Sequence, residues 1–191
     1  MTSLLFSDQW WPEIFGRGDH WNTPREVEGP VLEFFGEVDT DPCHNEGSIL
    51  RASLTYDGSC EAQDGLIQPW RGSCYVNPPF SRGQPLKWLT KAATERRERG
   101  CEVLVLLNVA TSTEYFAEFA PVHVGDLAEN VGRERQRFKH AASRVAFWRS
   151  RIAFLEAGQP IAGNRFEQML FYFGTRERRF REVFREVAWV P

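Results

Sequence analysis

The strongest pattern in the chain is a nearly continuous apolar run, residues 101–107, that follows an amphipathic stretch. In that stretch, residues 85–99, apolar side chains recur at helical spacing opposite charged ones, and Gly100 ends it. A shorter apolar run, residues 74–76, comes before the amphipathic stretch. A strand, a helix and a second strand without polar alternation predict a βαβ unit whose parallel strands are covered on both faces.

Residues 31–40 predict a further strand ahead of this unit. They are typical of the end of a helix followed by a short strand that stops at the acidic turn Asp39-Thr40-Asp41-Pro42. Asp41 is therefore expected at the carboxyl end of a strand.

The pattern changes after the βαβ unit. Residues 112–119 predict a helix capped by Thr111 or Ser112. Three short apolar or alternating segments then predict outer strands, some of them antiparallel: residues 144–148, 152–155 and 168–173. Residues 120–143 interrupt this scheme with glycines and a basic cluster, so we expect an insertion or loop over one edge. The predicted fold class is α/β, with a mostly parallel sheet, antiparallel outer strands and helices on both faces.

The composition agrees with one folded domain over residues 1–191. The chain has 191 residues, of which 42% are hydrophobic and seven are Trp, enough for a sizeable core without disulfides or metals. No apolar stretch approaches the length of a membrane span, so no membrane partner is expected. The N-terminus lacks the basic segment and the long apolar run of a signal peptide, which predicts a cytoplasmic location.

The cysteines are expected to be thiols that act as small buried hydrophobic residues. The four cysteines form no Cys-x-x-Cys pair. Cys43, His44, Cys60 and Cys74 together offer four zinc-binding groups, but their spacing matches no zinc ribbon or finger. No metal site is therefore predicted.

Charge is distributed unevenly along the chain. The formal net charge is −3, yet residues 1–130 hold 10 Lys and Arg against 20 Asp and Glu, whereas residues 131–191 hold 13 against 6. A basic C-terminal third predicts a phosphate-binding face, because Lys and Arg supply most sequence-independent affinity for nucleic acid. The arginines of residues 176–185 are interleaved with Glu177 and Glu182, and a solvated helix face explains them better.

The motif with the most chemical content is Asn77-Pro78-Pro79-Phe80, directly after the short apolar run. The prolines fix φ and remove two N–H donors, so carbonyl acceptors and an aromatic ring are held beside Asn77. Such a row suits an exocyclic amine on a flat heterocycle. A simple strand-ending turn is the alternative. However, Asp41 also follows a strand, and ligands of open α/β sheets bind beyond the carboxyl ends of the strands.

Five landmarks in the same order make the chain resemble the phage-type DNA N6-adenine methyltransferase family over most of residues 19–174. They are Trp21-Asn22-Thr23-Pro24, Val38-Asp39-Thr40-Asp41-Pro42-Cys43, Asp64-Gly65-Leu66 with Trp70-Arg71-Gly72, Asn77-Pro78-Pro79-Phe80-Ser81, and residues 106–116. The chain departs from the family pattern at three positions. Asn108 stands where the family has Pro, Tyr115 where it has Trp, and Ser150 where it usually has Gly.

The resemblance implies a Rossmann-like domain that transfers a methyl group from S-adenosylmethionine to the N6 amine of an adenine flipped out of DNA. The catalytic residues would be Asn77, Pro78, Pro79 and Phe80. The carbonyl oxygens of the Asn77 side chain and the Pro78 main chain would accept the amine protons, and Phe80 would stack on the base.

The resemblance also implies the binding residues. The cofactor would be held by Trp21, Thr23, Pro24, Asp41, Pro42, Cys43 and Asp64. Among these, Asp41 would contact the methionine part or the ribose, and Asp64 the adenine amine. The uneven charge distribution, rather than the resemblance, predicts that Arg133, Arg135, Arg137, Lys139 and Arg151 contact the DNA backbone, with residues 120–143 as a target-recognition loop.

Several other activities stay open on sequence grounds. N4-cytosine methylation differs only in the ring that carries the amine, although that class more often has Ser in place of Asn77. A Pro42-Cys43 nucleophile would suit cytosine-5 methylation but would leave the Asn-Pro-Pro-Phe motif without a role. Similar motifs methylate RNA bases or protein glutamine. An inactive nucleic-acid-binding protein of the same fold is the non-enzymatic alternative, which cofactor titration would distinguish.

Overall fold

Seven strands form one mixed sheet in the computed structural model, which describes residues 21–121, 140–156, 158–160 and 166–191. Two more strands form a small separate hairpin. In chain order the strands are β1 Val38–Asp41, β2 Ala52–Thr55, β3 Ser73–Val76, β4 Glu102–Asn108, β5 Arg144–Trp148, β6 Leu155–Glu156, β7 Gln159–Pro160, β8 Gln168–Phe173 and β9 Ala188–Trp189. The large sheet has the order β2-β1-β3-β4-β8-β5-β9, and the hairpin pairs β6 with β7.

Half of the sheet is parallel and half is antiparallel. The strands β2, β1, β3 and β4 run parallel to one another, as the βαβ pattern predicted for β3 and β4. The strand β8 is antiparallel to both β4 and β5, and β9 is antiparallel to β5. The prediction that residues 168–173 form an outer strand was wrong. All six residues of β8 are buried, so this apolar segment fills an interior position of the sheet.

Helices cover both faces of the sheet, as predicted. The helices are α1 Arg25–Phe35, α2 Gln84–Arg99, α3 Glu114–Phe119 and α4 Glu177–Phe184. Alternate residues of β4 enter different core clusters: Val103 and Val105 pack with α2 and α3, whereas Leu104 and Leu106 pack with α1 and α4. The unbroken apolar run of β4 follows from this two-sided burial.

Most predicted elements are confirmed, and the exceptions are local. The helix α2 ends at Gly100 as expected, and its residues 85–99 were predicted. The helix α3 begins one or two residues later than predicted, because Thr113 is its N-cap residue. The predicted strand over residues 152–155 was wrong except at Leu155. Ile152 and Phe154 instead bury their side chains in the core below α1 and α4.

The strand order places a crevice between β1 and β3. From β1 the chain continues to β2 on one side, and β3 lies on the other side of β1. Such a reversal of strand order leaves a cleft beyond the carboxyl ends of the strands, where open α/β sheets bind ligands. Asp41 ends β1, and Asn77 follows the last residue of β3. Within the described ranges, no helix has the length and apolar character that crossing a membrane requires.

Candidate active site

The side chain of Asn77 is held in one orientation at the mouth of this crevice. Its Nδ2 donates a 2.7 Å hydrogen bond to the main-chain oxygen of Trp21. Because the amide nitrogen is engaged there, the carbonyl oxygen Oδ1 is the free end of the amide. That oxygen is buried and has no hydrogen-bond partner among the described residues. A buried acceptor without a donor is rare in native proteins and indicates a binding position.

The segment that holds Asn77, residues 21–24, is itself fixed on several sides. The hydroxyl groups of Thr23 and Tyr75 form a buried 3.1 Å hydrogen bond. The main chain of Asn22 pairs with Leu155 through bonds of 2.8 and 2.9 Å. Pro24 then begins α1 as its N-cap residue. The structure therefore places Trp21, Thr23 and Pro24 next to the carboxyl end of β3, although they lie more than fifty residues away in sequence.

An aromatic group borders the same position. The ring of Phe80 lies 6.1 Å from Trp21 in an edge-to-face arrangement and 5.6 Å from Phe154, measured between centroids. Trp21 and Phe154 are 5.5 Å apart. Phe80 stays partly exposed, whereas Pro78 and Pro79 are buried. The motif thus presents one partly open ring next to an acceptor.

Asp41 supplies a buried carboxylate on the β1 side of the crevice. Its Oδ1 accepts a 3.1 Å hydrogen bond from the Cys43 main-chain N–H. Its Oδ2 lies 3.4 Å from His44 Nδ1. The Asp41 side chain raises the pKa of His44 above its ordinary value, with a smaller contribution from Asp57, although burial opposes the shift.

Asp64 lies near the Pro42-Cys43 segment. Its Oδ1 accepts a 2.8 Å hydrogen bond from Leu66 N–H, which closes a local turn. Gly65 packs so tightly on Pro42 that an added Cβ would lie 2.1 Å from the Pro42 carbonyl oxygen. The glycine is therefore required for the close approach of this turn to the end of β1.

The crevice between the two strand ends is a small polar cavity. It is lined by Asn22, Thr23, Asp41, Cys43, Asn45, Ser48, Tyr75 and Asn77. Four of these residues were named from the sequence, while Asn22, Asn45, Ser48 and Tyr75 were not assigned a role. Alternation along β3 is the signal for Tyr75, since it lies two residues before Asn77. Pro24, Pro42, Asp64 and Phe80 lie nearby without lining this cavity.

Cys43 is unsuited to act as a nucleophile. Burial raises the pKa of its thiol well above the ordinary value, and the carboxylates of Asp41 and Asp64 add to the effect. A thiol that stays protonated at neutral pH attacks poorly. This argues against the cytosine-5 mechanism. All four cysteines are free thiols, and within the described part of the chain no three His, Cys, Asp or Glu side chains form a group suited to a metal ion.

The basic residues divide into three sets. Arg133, Arg135, Arg137 and Lys139, with most of the predicted loop 120–143, lie outside the described residues. Arg151 is exposed and lies on the segment that carries Phe154 into the aromatic group beside Asn77. The arginines of α4 form the predicted solvated face: Arg178 is 94% exposed and pairs with Glu182 at 2.9 Å.

The comparison with known protein families agrees with this geometry. The sequence model described as DNA N-6-adenine-methyltransferase (Dam) matches residues 15–187. The searches of curated proteins and of solved structures found no match. The family match covers every described strand except β9 and includes both strand ends that form the crevice. The chain therefore belongs to the DNA N-6-adenine-methyltransferase family.

Proposed function

We propose that the crevice between β1 and β3 transfers a methyl group from S-adenosylmethionine to the N6 amine of an adenine flipped out of DNA. The family membership supports the reaction. The observation that carries the site assignment is the buried Asn77 Oδ1, an acceptor that lacks a donor among the described residues. The exocyclic amine of adenine supplies such a donor.

The chain's own groups prepare the amine for attack. The N6 lone pair is delocalised into the ring, so a planar amine is a weak nucleophile. Hydrogen bonds from its two N–H groups to Asn77 Oδ1 and to the Pro78 carbonyl oxygen favour a pyramidal nitrogen, whose lone pair is available for attack. Once the nitrogen carries the methyl group, one of its protons leaves to solvent. The 2.7 Å bond from Asn77 Nδ2 to Trp21 holds the acceptor in place before the base arrives. Phe80 provides the stacking surface for the extruded ring.

The polar cavity fits the cofactor by its donor and acceptor set. S-adenosylmethionine supplies a methyl group activated by a sulfonium, together with an amino group and ribose hydroxyls. The buried Asp41 carboxylate suits the cationic or hydroxyl groups, and Asn22, Asn45 and Ser48 add neutral polar atoms around it. Cys43 and Thr23 line the same cavity, while Trp21, Pro24, Pro42 and Asp64 form its surroundings. We assign these residues to cofactor binding.

The same proposal includes the wider organisation of the protein. We infer a single Rossmann-like domain over residues 1–191, supported by the four parallel strands and by the crevice at the reversal of strand order.

DNA is the macromolecular partner, contacted by Arg151 and by the basic cluster of residues 133–139. A cytoplasmic location fits a DNA-modifying enzyme. Adenine is favoured over N4 of cytosine by the family match, since the Asn77 and Pro78 acceptors suit both amines.

The decisive experiment follows the methyl group into nucleosides. The protein is incubated with methyl-labelled S-adenosylmethionine and unmethylated DNA, and the DNA is digested and separated by chromatography. We expect label in N6-methyldeoxyadenosine. Label in N4-methyldeoxycytidine would show instead that the substrate is the N4 amine of cytosine. Absence of label from DNA, in a preparation that binds the cofactor, would overturn the proposed substrate.

A further inference from the structure

Three amide side chains share one face and one edge of the sheet. Asn77 follows β3, Asn108 ends β4, and Gln168 begins the antiparallel β8. The residues two positions away on the same strands, Tyr75, Leu106 and Leu170, all pack in the core below α1 and α4. Because side chains alternate along strands, the three amides lie on that same face. They lie where the carboxyl ends of β3 and β4 meet the start of β8.

The side-chain amides of Asn108 and Gln168 form a hydrogen bond whose direction is fixed. Gln168 Nε2 donates to Asn108 Oδ1 at 2.7 Å and to the Phe166 main-chain oxygen at 3.2 Å. Two oxygen acceptors on one amide nitrogen define which end of the fully buried Gln168 is nitrogen. Since Asn108 Oδ1 is the acceptor of this bond, Asn108 Nδ2 is the donor end that points away from Gln168. The Asn108 main-chain oxygen is also held, by a 2.9 Å bond from the Tyr115 hydroxyl.

The face therefore offers an acceptor and a donor that complement adenine. Asn77 presents Oδ1, and half-buried Asn108 presents Nδ2. The register pairs Val76 with Val105, so Asn108 lies one strand away from Asn77 and two residues further along. The two positions are offset by about 4.8 Å across the strands and by about 6.6 Å along them. Together these distances are comparable to the width of a purine with its hydrogen bonds. Adenine carries an amine donor flanked by ring-nitrogen acceptors, whereas guanine and thymine carry a carbonyl in place of that amine.

We propose that Asn108 is a base-recognition residue whose Nδ2 donates to a ring nitrogen of the target adenine. Gln168 is its positioning residue, because it holds the Asn108 amide with the donor end outward. The inference rests on the proposed adenine methylation at Asn77 and adds the second contact to the base. It is a property of this chain, since Asn108 replaces the Pro of the family pattern and a Pro side chain has no donor.

The substitution Asn108→Asp tests the donor with little change of shape. It keeps an oxygen that accepts from Gln168 Nε2 and replaces the outward donor by an acceptor. We expect kcat/KM on adenine-containing DNA to fall about tenfold or more, as for a lost base contact, while the melting temperature and cofactor affinity stay near the parent values. Asn108→Ala removes the donor without adding charge and should lower kcat/KM similarly. Thr90→Ala, on the exposed side of α2, is the matched control.

Modified bases identify the partner atom. Duplexes that the parent methylates are synthesised with 7-deazaadenine or 1-deazaadenine, which each replace one ring nitrogen by C–H. We expect one analogue to lower the parent's kcat/KM by the same factor as Asn108→Ala, and to cause no further loss in that variant. Gln168→Met should show an intermediate loss on adenine, because the Asn108 amide loses its orientation. If the loss caused by each analogue and the loss caused by Asn108→Ala multiply when the two are combined, Asn108 contacts neither ring nitrogen. That result would overturn the assignment.

Failure of this inference is separable from failure of the proposed function. A parent protein that methylates no DNA adenine would overturn both. A parent that methylates adenine, with an Asn108→Asp variant of unchanged kcat/KM, would overturn the role of Asn108 alone.

Discussion

At the scale of single residues, the site depends on two side chains, which differ in whether all their polar atoms have hydrogen-bond partners. Asn77 keeps one amide end bonded to Trp21 and the other end unpartnered among the described residues. Asp41 is buried and bonded locally to Cys43, with His44 beside it. We assign the first to the amine of the substrate and the second to the cofactor, so substitutions at the two positions should have separable effects.

Asn77→Ala should abolish methylation with little effect on cofactor affinity. The lost oxygen acts on the amine in the transition state, and removal of one such hydrogen bond typically costs about a hundredfold or more in rate. Single-turnover rates with labelled cofactor measure the effect, and calorimetry with S-adenosylmethionine measures the affinity. Thr90→Ala is the control for handling and folding. A variant that retains near-parent turnover would remove Asn77 from the catalytic residues.

Asp41→Asn should show the reverse behaviour. The amide oxygen still accepts from Cys43 N–H, so the turn after β1 is kept, but the negative charge is lost. We expect cofactor affinity to fall about tenfold or more, in line with the loss of a charge-assisted hydrogen bond. Calorimetry measures the affinity, and circular dichroism checks the fold. Unchanged affinity would show that this carboxylate does not touch the cofactor.

His44 should make stability depend on pH through its contact with Asp41. The pKa of His44 is raised above its ordinary value of 6.5 by the Asp41 side chain, so the protonated imidazole stabilises the folded state. This contribution is fully present below about pH 6.5 and is lost as the pH rises through the folded-state pKa. His44→Gln should therefore lower the free energy of unfolding at about pH 6 more than at about pH 8.5.

Urea denaturation of parent and variant over this pH range measures the difference. In an Asp41→Asn background the pH dependence caused by His44→Gln should largely disappear. A pH-independent difference would mean that His44 stabilises the fold by packing alone.

At the scale of elements, the site is assembled by close contacts between turns and strand ends. The turn with Asp64 reaches the end of β1 because Gly65 lies directly on the Pro42 carbonyl. The start of β3 is joined to β1 in a similar way: Asp39 Oδ2 accepts 2.8 Å bonds from the N–H and hydroxyl of Ser73. These hydrogen bonds, led by the one from the Ser73 main chain, lower the pKa of Asp39.

Gly65→Ala should displace the Asp64 turn from the cofactor site. A Cβ at this position would lie 2.1 Å from the Pro42 carbonyl oxygen, so backbone must move. We expect lower cofactor affinity and a loss of stability of about 1–3 kcal/mol, as for overpacked positions. Gly29→Ala is the matched control, because nothing lies within 4 Å of an added Cβ there and alanine favours the helix α1. Equal effects of the two substitutions would contradict the assigned contact.

At the scale of the whole molecule, the basic C-terminal third is expected to meet the DNA backbone. The arginines of α4 are solvated or engaged with neighbouring groups, as in the Arg178–Glu182 pair. Arg176 of the same region lies 4.8 Å from the ring of Phe34 and pairs with Glu102, so it serves packing. We therefore propose that the cluster of residues 133–139 and Arg151 bind the phosphates.

Replacing Arg133, Arg135, Arg137 and Lys139 by Gln should weaken DNA binding for all sequences. Contacts to phosphates release counterions, so the slope of log affinity against log salt should become flatter by up to about 0.9 for each lost contact. The matched control removes four charges from α4 and its C-cap residue: Arg178, Arg179, Arg181 and Arg185 to Gln. Binding isotherms at several salt concentrations measure both slopes. Equal slopes for the two variants would mean that the DNA-binding surface lies elsewhere. Cofactor affinity close to that of the parent protein shows that each variant is folded.

Periodicity and local chemistry in the sequence were enough to predict the elements and motifs whose causes are local. The helix α2, the buried strand β4 and the positions of Asp41 and Asn77 at strand ends all depend on neighbouring residues, so short windows of sequence contain the necessary information. The interior position of β8 required the tertiary structure, because an apolar segment pairs equally well at an edge or between two strands until its partners are known.

The same division applies to the site. The Asn-Pro-Pro-Phe motif indicated an amine-binding position from the sequence alone, because its rigid geometry is local. The bond between Thr23 and Tyr75 joins residues 52 positions apart, and the bond between Asn108 and Gln168 joins residues 60 positions apart. Such contacts follow from strand order and register, which only the folded chain decides. The sequence thus determined which chemical groups are present at the strand ends, and the tertiary structure decided which of them face one another.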